Sequence, residues 1–396
     1  MTSNYIPHED TKAKHYIDKD VYTAAKERIH DAINQSDNQA VLCSGGKDSV
    51  ALAYLVSECY QERGITKPVN LIFMDEELIN SDVIEGIYEL RENPLFHVYW
   101  FCIPLTCDMY NTGKTREYVQ NDPKRRHVRE APHDAITPEK LGLPTDKILT
   151  RYQLKNIQAE LFPGKVCLFK GIRCTESLFR LTQVIRRKHS PHIGAHTRKH
   201  FECIPIYDWT EHDVFLYYYK NNLQYNPIYD KQMYAEAPLR VSTPTHTYNT
   251  STYNKLRSID PELYENIVEV FPDMAHADRY NNEVKGNKHE FTTKYPHTIQ
   301  GLMQFIDDTY TDNKEHKLQA KRKVLWAYKR REQNKQRRGS DKFGGYPLYY
   351  LFGIISRGAT LRHIIPREKP SLQCYKFEGY TIEDMIEDKN KRGTYT

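Results

Sequence analysis

Apolar positions alternate between two rhythms over the first half of the chain. From Asp18 to Ile33, the residues Val21, Ala24, Ala25, Ile29, Ala32 and Ile33 recur at the spacing of one helix face. Gln39 to Ser44 is a short apolar run that reads as a buried strand, and after two glycines Val50 to Tyr60 resumes the helical period. Val69 to Met74 (VNLIFM) predicts a second strand, and Ser81 to Glu92 a helix with Ser81 as N-cap. Phe96 to Cys102 predicts a third strand. Strands alternating with helices of this length imply parallel pairing, so the expected fold class is α/β with a doubly wound parallel sheet.

The rhythm breaks between Asp108 and Ile148, where Pro123, Pro132, Pro138 and Pro144 accompany the basic cluster Lys124, Arg125, Arg126, His127 and Arg129. This segment reads as a long loop or insertion over the sheet. Strand and helix return at Val166 to Lys170, Thr175 to Arg187, Phe201 to Ile206 and Thr210 to Asn221. After Pro238 no strand is expected. Pro261 to Phe271, His297 to Tyr310 and Lys314 to Arg338 read as helices, and Gly344, Gly345, Gly353 and Gly358 punctuate an aromatic tail. The expected division is an α/β domain over 1–236 and a helical, basic region over 237–396.

Composition narrows the class further. No run approaches the roughly 18 apolar residues of a membrane helix, and the N-terminus has no apolar stretch of the signal-peptide kind. Eight Cys without a C-x-x-C pair argue against a zinc ribbon or disulfide framework, so a cytoplasmic location without membrane contact is expected. A net charge of +5 is too small by itself to imply nucleic acid.

The candidate chemistry centres on Ser44-Gly45-Gly46-Lys47-Asp48-Ser49, between a predicted strand and a predicted helix. Glycines let the backbone turn sharply and approach a ligand, and N–H groups at a helix start converge where the dipole favours negative charge. Ser44 and Ser49 add hydroxyls and Lys47 a cation. Asp48 would repel phosphate unless it caps the helix or holds Mg²⁺. The spacing differs from the P-loop of kinases and GTPases.

SGGKDS resembles the SGGxDS signature of the PP-loop superfamily, the adenine nucleotide α-hydrolase-like fold. Gly171-Ile172-Arg173-Cys174-Thr175-Glu176-Ser177-Leu178-Phe179-Arg180 is similar to an arginine element of phosphoadenosine phosphosulfate (PAPS) reductases. Pro205-Ile206-Tyr207-Asp208-Trp209-Thr210, followed by Tyr225-Asn226-Pro227-Ile228-Tyr229-Asp230, resembles two more of that family's stretches. The likeness spans about residues 18–240 and is nearest in pattern to the PAPS sulfotransferase-type members with an extra C-terminal region. It implies phosphate contacts at Ser44, Gly45, Gly46, Lys47 and Ser49, with Asp48 coming with the motif and Asp75 near the nucleotide. It implies substrate contacts at Arg173, Glu176, Ser177 and Arg180, and catalytic roles for Lys47, Asp48 and Arg173. Glu176 stands where the family usually has Gln, and Cys174 where it often has a second Arg. The E-C-G-x-H segment that supplies the family's cysteine nucleophile has no counterpart. Cys374 reads as structural and Cys43 as packing beneath the loop, while Cys174 is the better-placed thiol.

Two further features carry weaker expectations. His189, His192, His196 and His200 are surrounded by Arg186, Arg187, Lys188, Arg198 and Lys199, which suggests a basic loop facing phosphate or nucleic acid rather than zinc. Lys314 to Arg338 reads as a basic helix with a small apolar stripe, either solvated or facing nucleic acid or an acidic protein. Three functions follow. The first is a PAPS reductase-like enzyme of sulfur transfer or reduction, with PAPS or ATP as the adenine nucleotide. The second is an ATP pyrophosphatase, with Mg²⁺, that adenylates nucleic acid for thiolation. The third is a non-catalytic nucleotide sensor. No iron–sulfur cluster is expected.

Overall fold

A computed structural model describes residues 18–338 apart from 112–113, 186–189, 247–249, 277–278, 280–294, 297 and 312–313, together with residues 355, 376–377 and 380–381. Arg186, Arg187, Lys188, His189, Gly344, Gly345, Gly353, Gly358 and Cys374 lie outside the described residues. The chain divides into two compact units, one formed by residues 1–107, 119–244 and 251–270 and the other by 108–118, 245–250 and 271–396.

The first unit opens with α1 (Val21–Asn34), started by the side chain of Asp20 accepting from Thr23 N–H. It is followed by β1 (Asn38–Leu42), α2 (Lys47–Glu62), β2 (Val69–Met74), α3 (Ser81–Glu92) and β3 (Phe96–Phe101). After β4 (Leu105–Asn111) and β5 (Lys114–Gln120) come α4 (Arg151–Glu160), β6 (Val166–Lys170), α5 (Leu178–Ile185), β7 (Ile193–His196), β8 (His200–Cys203), α6 (Glu211–Lys220), α7 (Ile228–Tyr234), α8 (Thr250–Ile259) and α9 (Pro261–Val270).

Six strands form one sheet in the order β3-β2-β1-β6-β8-β7. All neighbours are parallel except β7, which runs antiparallel to β8. The chain winds outward from β1 in one direction, then returns to place β6 on its other side, so strand order reverses between β1 and β6. Ligands of doubly wound sheets bind at such a reversal, outside the carboxyl ends of the strands. Leu42 is in register with Lys170, so the turns after β1 and β6 leave the sheet side by side.

Alternation along β1 explains the two layers. Val41 joins Ile29, Leu52, Val56, Ile87 and Trp209 on one face, while Ala40 joins Ile72, Leu168, Leu154 and Phe162 on the other. Several motif residues serve this packing. Arg28 donates to both carboxylate oxygens of Asp208, at 2.8 and 2.7 Å, and to Pro205 O. Trp209, 1% exposed, donates to Val21 O, and Thr210 and Asp213 form a capping box on α6.

Four local expectations are corrected. Ser81 is the first residue of α3 rather than its cap, and its N–H is taken by Asp260 Oδ2 at 2.8 Å, a carboxylate from just before α9. The segment 108–148 contains the rest of the β4–β5 ribbon and a bridge from Ile136 to Phe101. Its prolines and charges masked the strand period. Ile193 to Cys203, around the histidines, is an edge hairpin rather than a loop, with His200 3% exposed and held by Thr197. Strands do occur after Pro238: β9 (Lys376–Phe377) and β10 (Tyr380–Thr381), two residues each and too short to show a period.

In the second unit, α10 (Ile299–Thr309) packs on α11 (Lys314–Arg338) through Leu302, Phe305, Ile306, Leu318, Val324 and Leu325. Two lysines of α11 turn away from water. Lys321 and Lys323 are buried, and Lys317 and Lys321 pair with Asp307 at 2.9 and 2.7 Å. Burial draws the Lys323 ammonium down to about 7, against an opposing effect of Asp108. Among the described residues no helix is long and apolar enough to cross a membrane.

Candidate functional site

The loop between β1 and α2 stands at the strand-order reversal. Gly45 adopts φ 74°, a left-handed conformation that favours glycine. Ser49 Oγ ties the turn together, donating to Gly46 O at 2.9 Å, accepting from Ser44 N–H at 3.2 Å and lying 3.3 Å from Ser44 Oγ. Cys43 lies beneath, with Sγ 3.8 Å from Ser49 Oγ, and burial raises its thiol pKa. Gly171, directly after β6, touches this loop from the side: a Cβ there would lie 2.8 Å from the carbonyl carbon and oxygen of Asp48 and from Ser49 N. Backbone cannot yield as a flexible side chain can. Gly171→Ala is therefore expected to cost about 1–3 kcal/mol through overpacking and to lower the urea midpoint; an unchanged midpoint would contradict this approach.

The loop's charged groups are internally matched. Lys47, 4% exposed, donates to Leu239 O at 2.9 Å, reaches Glu211 Oε1 at 3.0 Å and Asp48 Oδ2 at 3.7 Å, and lies over the Tyr229 ring. Asp48 accepts from Arg173 Nε at 2.5 Å. That contact gives the loop's carboxylate a partner: it fixes a buried arginine beside the loop. Arg173 also donates to Thr175 Oγ1 at 3.0 Å.

Arg173 and Arg180 do not share one helix. Arg173 precedes a short 3-10 turn (Cys174–Glu176), and Arg180 belongs to α5. Glu176 links them: its Oε1 accepts from Arg173 N–H at 3.1 Å and from Arg180 Nη1 at 2.5 Å. Glu176 thus gives Arg180 an ionic partner. Ser177 Oγ accepts from Arg180 N–H at 3.2 Å.

Asp75 lies at the end of β2, 1% exposed, and its carboxylate is fully engaged. Arg129 Nη2 reaches both oxygens at 2.6 and 2.7 Å, Trp100 Nε1 donates to Oδ2 at 2.9 Å and Glu77 N–H to Oδ1 at 2.8 Å. Glu77, also 1% exposed and at φ 63°, binds Arg125 through both oxygens and accepts from Asn121 and Val128 N–H. The pair clamps the 121–129 segment to the sheet. With its lone pairs spent on donors, Asp75 does not suit Mg²⁺. Glu76, between them, is the more open carboxylate and accepts from Thr243 Oγ1 at 2.7 Å.

Further contacts to the loop come from residues far along the chain. Tyr229 Oη accepts from Lys47 N–H at 2.6 Å, while Tyr218 Oη donates to Lys47 O at 3.0 Å. Residues 239–241 cross the loop: a Cβ on Gly46 would lie 2.3 Å from Val241 Cγ2, and Arg240 donates to Glu176 O at 3.4 Å. Lys170, the last residue of β6, shares Glu202 Oε1 with Lys155, its own contact being 2.6 Å. Burial lowers the Lys170 ammonium to about 8 despite that carboxylate.

A mostly parallel doubly wound sheet with a glycine turn at its switch point is an α/β fold of the PP-loop-like type. Residues 38–259 match the model of the phosphoadenosine phosphosulfate reductase domain, and the chain belongs to that family. It is 30% identical over 232 residues to the protein YbdN of Escherichia coli (strain K12), a match covering 56% of this chain and 57% of that relative's length. Among solved structures it is similar to the PAPS reductase of Candida auris in a phosphate complex, at 17% identity and TM-score 0.31, covering 52% of this chain and 84% of that one. It is also similar to the FMN adenylyltransferase of Candida glabrata with FAD and inorganic pyrophosphate, at 15% identity and TM-score 0.36, covering 53% and 60%.

Proposed function

We propose that the chain is an adenine-nucleotide-binding enzyme of sulfur transfer or reduction, with PAPS or a closely related sulfonucleotide as substrate. The observation that carries this reading is the junction of two motifs distant in sequence, in which Asp48 of the cradle holds Arg173 of the turn after β6. Loop N–H groups, Ser44, Ser49 and Lys47 would take one phosphate, with Arg173 beside them for the next anionic group. Glu211 is 46% exposed at its side chain, so it can leave Lys47 for water at little cost when an anion arrives. Glu176 would release Arg180 in the same exchange. Arginine suits the planar presentation of sulfate and phosphate oxygens. The ATP pyrophosphatase reading is less favoured, because Asp75 and Asp48 are both committed to arginine rather than open to a divalent cation.

Thermal shift with PAPS, adenosine bisphosphate and ATP–Mg²⁺ separates the substrates. The proposal expects stabilisation by the first two that is lost in Arg173→Ala. Stabilisation by ATP–Mg²⁺ alone, with pyrophosphate released when nucleic acid is added, would favour adenylation instead. Binding without turnover of any of them would leave a nucleotide sensor.

A further inference from the structure

Helices α1 and α2 bring together a second cluster with different chemistry. His30 of α1 and Cys59 and Glu62 of α2 each direct one ligand atom so that all three lie within 4.8 Å of one another. Cys59 and Glu62 are three residues apart, one helical turn, and so face α1 together. His30 Nε2 lies 3.0 Å from Glu62 Oε2, while its Nδ1 is buried without a hydrogen-bond partner among the described residues. A ring nitrogen removed from water and left unmatched is costly in an otherwise satisfied surface. Nothing in the nucleotide chemistry uses these residues.

We propose that His30, Cys59 and Glu62 form a transition-metal site, with Zn²⁺ as the ion that its sulfur, nitrogen and carboxylate donors suit. Zinc takes these three donor types at about 2.3, 2.0 and 2.1 Å, in tetrahedral sites with ligand atoms roughly 3.3–3.8 Å apart. Small side-chain movements within the 4.8 Å cluster reach that spacing, leaving a fourth position for water on the side of Glu62, which is 45% exposed at its side chain. Binding forms a zinc–sulfur bond, and the Cys59 proton departs to solvent. Lys26, which pairs with Glu62 Oε1, would offset the added negative charge of the thiolate. The metal would join α1 to α2, the helix that begins at the Ser44–Ser49 turn.

The test uses the full chain, stripped with chelator and titrated with Co²⁺, whose thiolate charge-transfer band reports a cobalt–sulfur bond, and then with Zn²⁺ in competition. The expected result is one equivalent of Co²⁺ with that band, displaced by Zn²⁺, and loss of the band in both Cys59→Ser and His30→Gln. His30 is partly exposed, so its variant decides the matter should the core change at Cys59 prevent folding. No band in the folded wild-type chain, or a band that survives His30→Gln or folded Cys59→Ser, overturns the proposal. Stabilisation by nucleotide is expected to be unchanged in His30→Gln, which separates this site from the cradle.

Discussion

Lys47→Ala is expected to weaken adenine-nucleotide binding by roughly 30- to 150-fold, the equivalent of about 2–3 kcal/mol for a charge-assisted contact to phosphate. The Lys47 ammonium is 4% exposed and steered by Leu239 O, Glu211 and the face of Tyr229, so it is positioned before any anion arrives. Its loss also leaves Glu211 as uncompensated negative charge at the cradle, which repels phosphate. Glu211→Gln should act in the opposite direction and tighten binding, since it removes the internal competitor. Equilibrium titration of both variants checks the pair of signs. Equal affinities in wild type and Lys47→Ala would contradict the role assigned to the ammonium.

Asp75→Asn is expected to destabilise the fold while leaving nucleotide affinity within about twofold. The amide cannot match Arg129, whose guanidinium contacts both carboxylate oxygens, and it presents an N–H₂ where Trp100 or Glu77 already donates. Breaking a buried, hydrogen-bonded ion pair costs about 3–5 kcal/mol, reduced here to about 2–4 because Arg129 keeps some exposure to water. For a unit of this size that corresponds to a fall in Tm of roughly 5–15 °C. A normal Tm with abolished nucleotide binding would instead return Asp75 to the nucleotide.

What could be read in advance follows the distance over which each feature is encoded. The strand–turn–helix around Ser44–Ser49 is contiguous, and its apolar run, glycines and hydroxyls lie within a dozen residues, so the fold class and the place of this turn between strand and helix were legible. The geometry of the Arg173 element was not legible, because a 3-10 turn and Glu176, rather than one helix, connect Arg173 to Arg180. Asp75 was legible as a carboxylate at the carboxyl end of a strand, but its ion pair was not. Its partner Arg129 lies 54 residues on, inside a proline-rich segment without a period. Tyr229, 182 residues from Lys47, and the 239–241 crossing were invisible for the same reason. The burial of Lys321 and Lys323 was hidden because charge density alone cannot tell an ion pair folded inward from one facing water.

The central claim is that the turn between β1 and α2 grips the phosphate of an adenine nucleotide. Isothermal titration of the full chain with PAPS, adenosine bisphosphate and ATP, repeated with Lys47→Ala, tests it most directly. Saturable one-to-one binding of at least one of them, weakened at least tenfold by the substitution, is the predicted result. Heat indistinguishable from dilution for all three, or binding that is indifferent to Lys47, would contradict it.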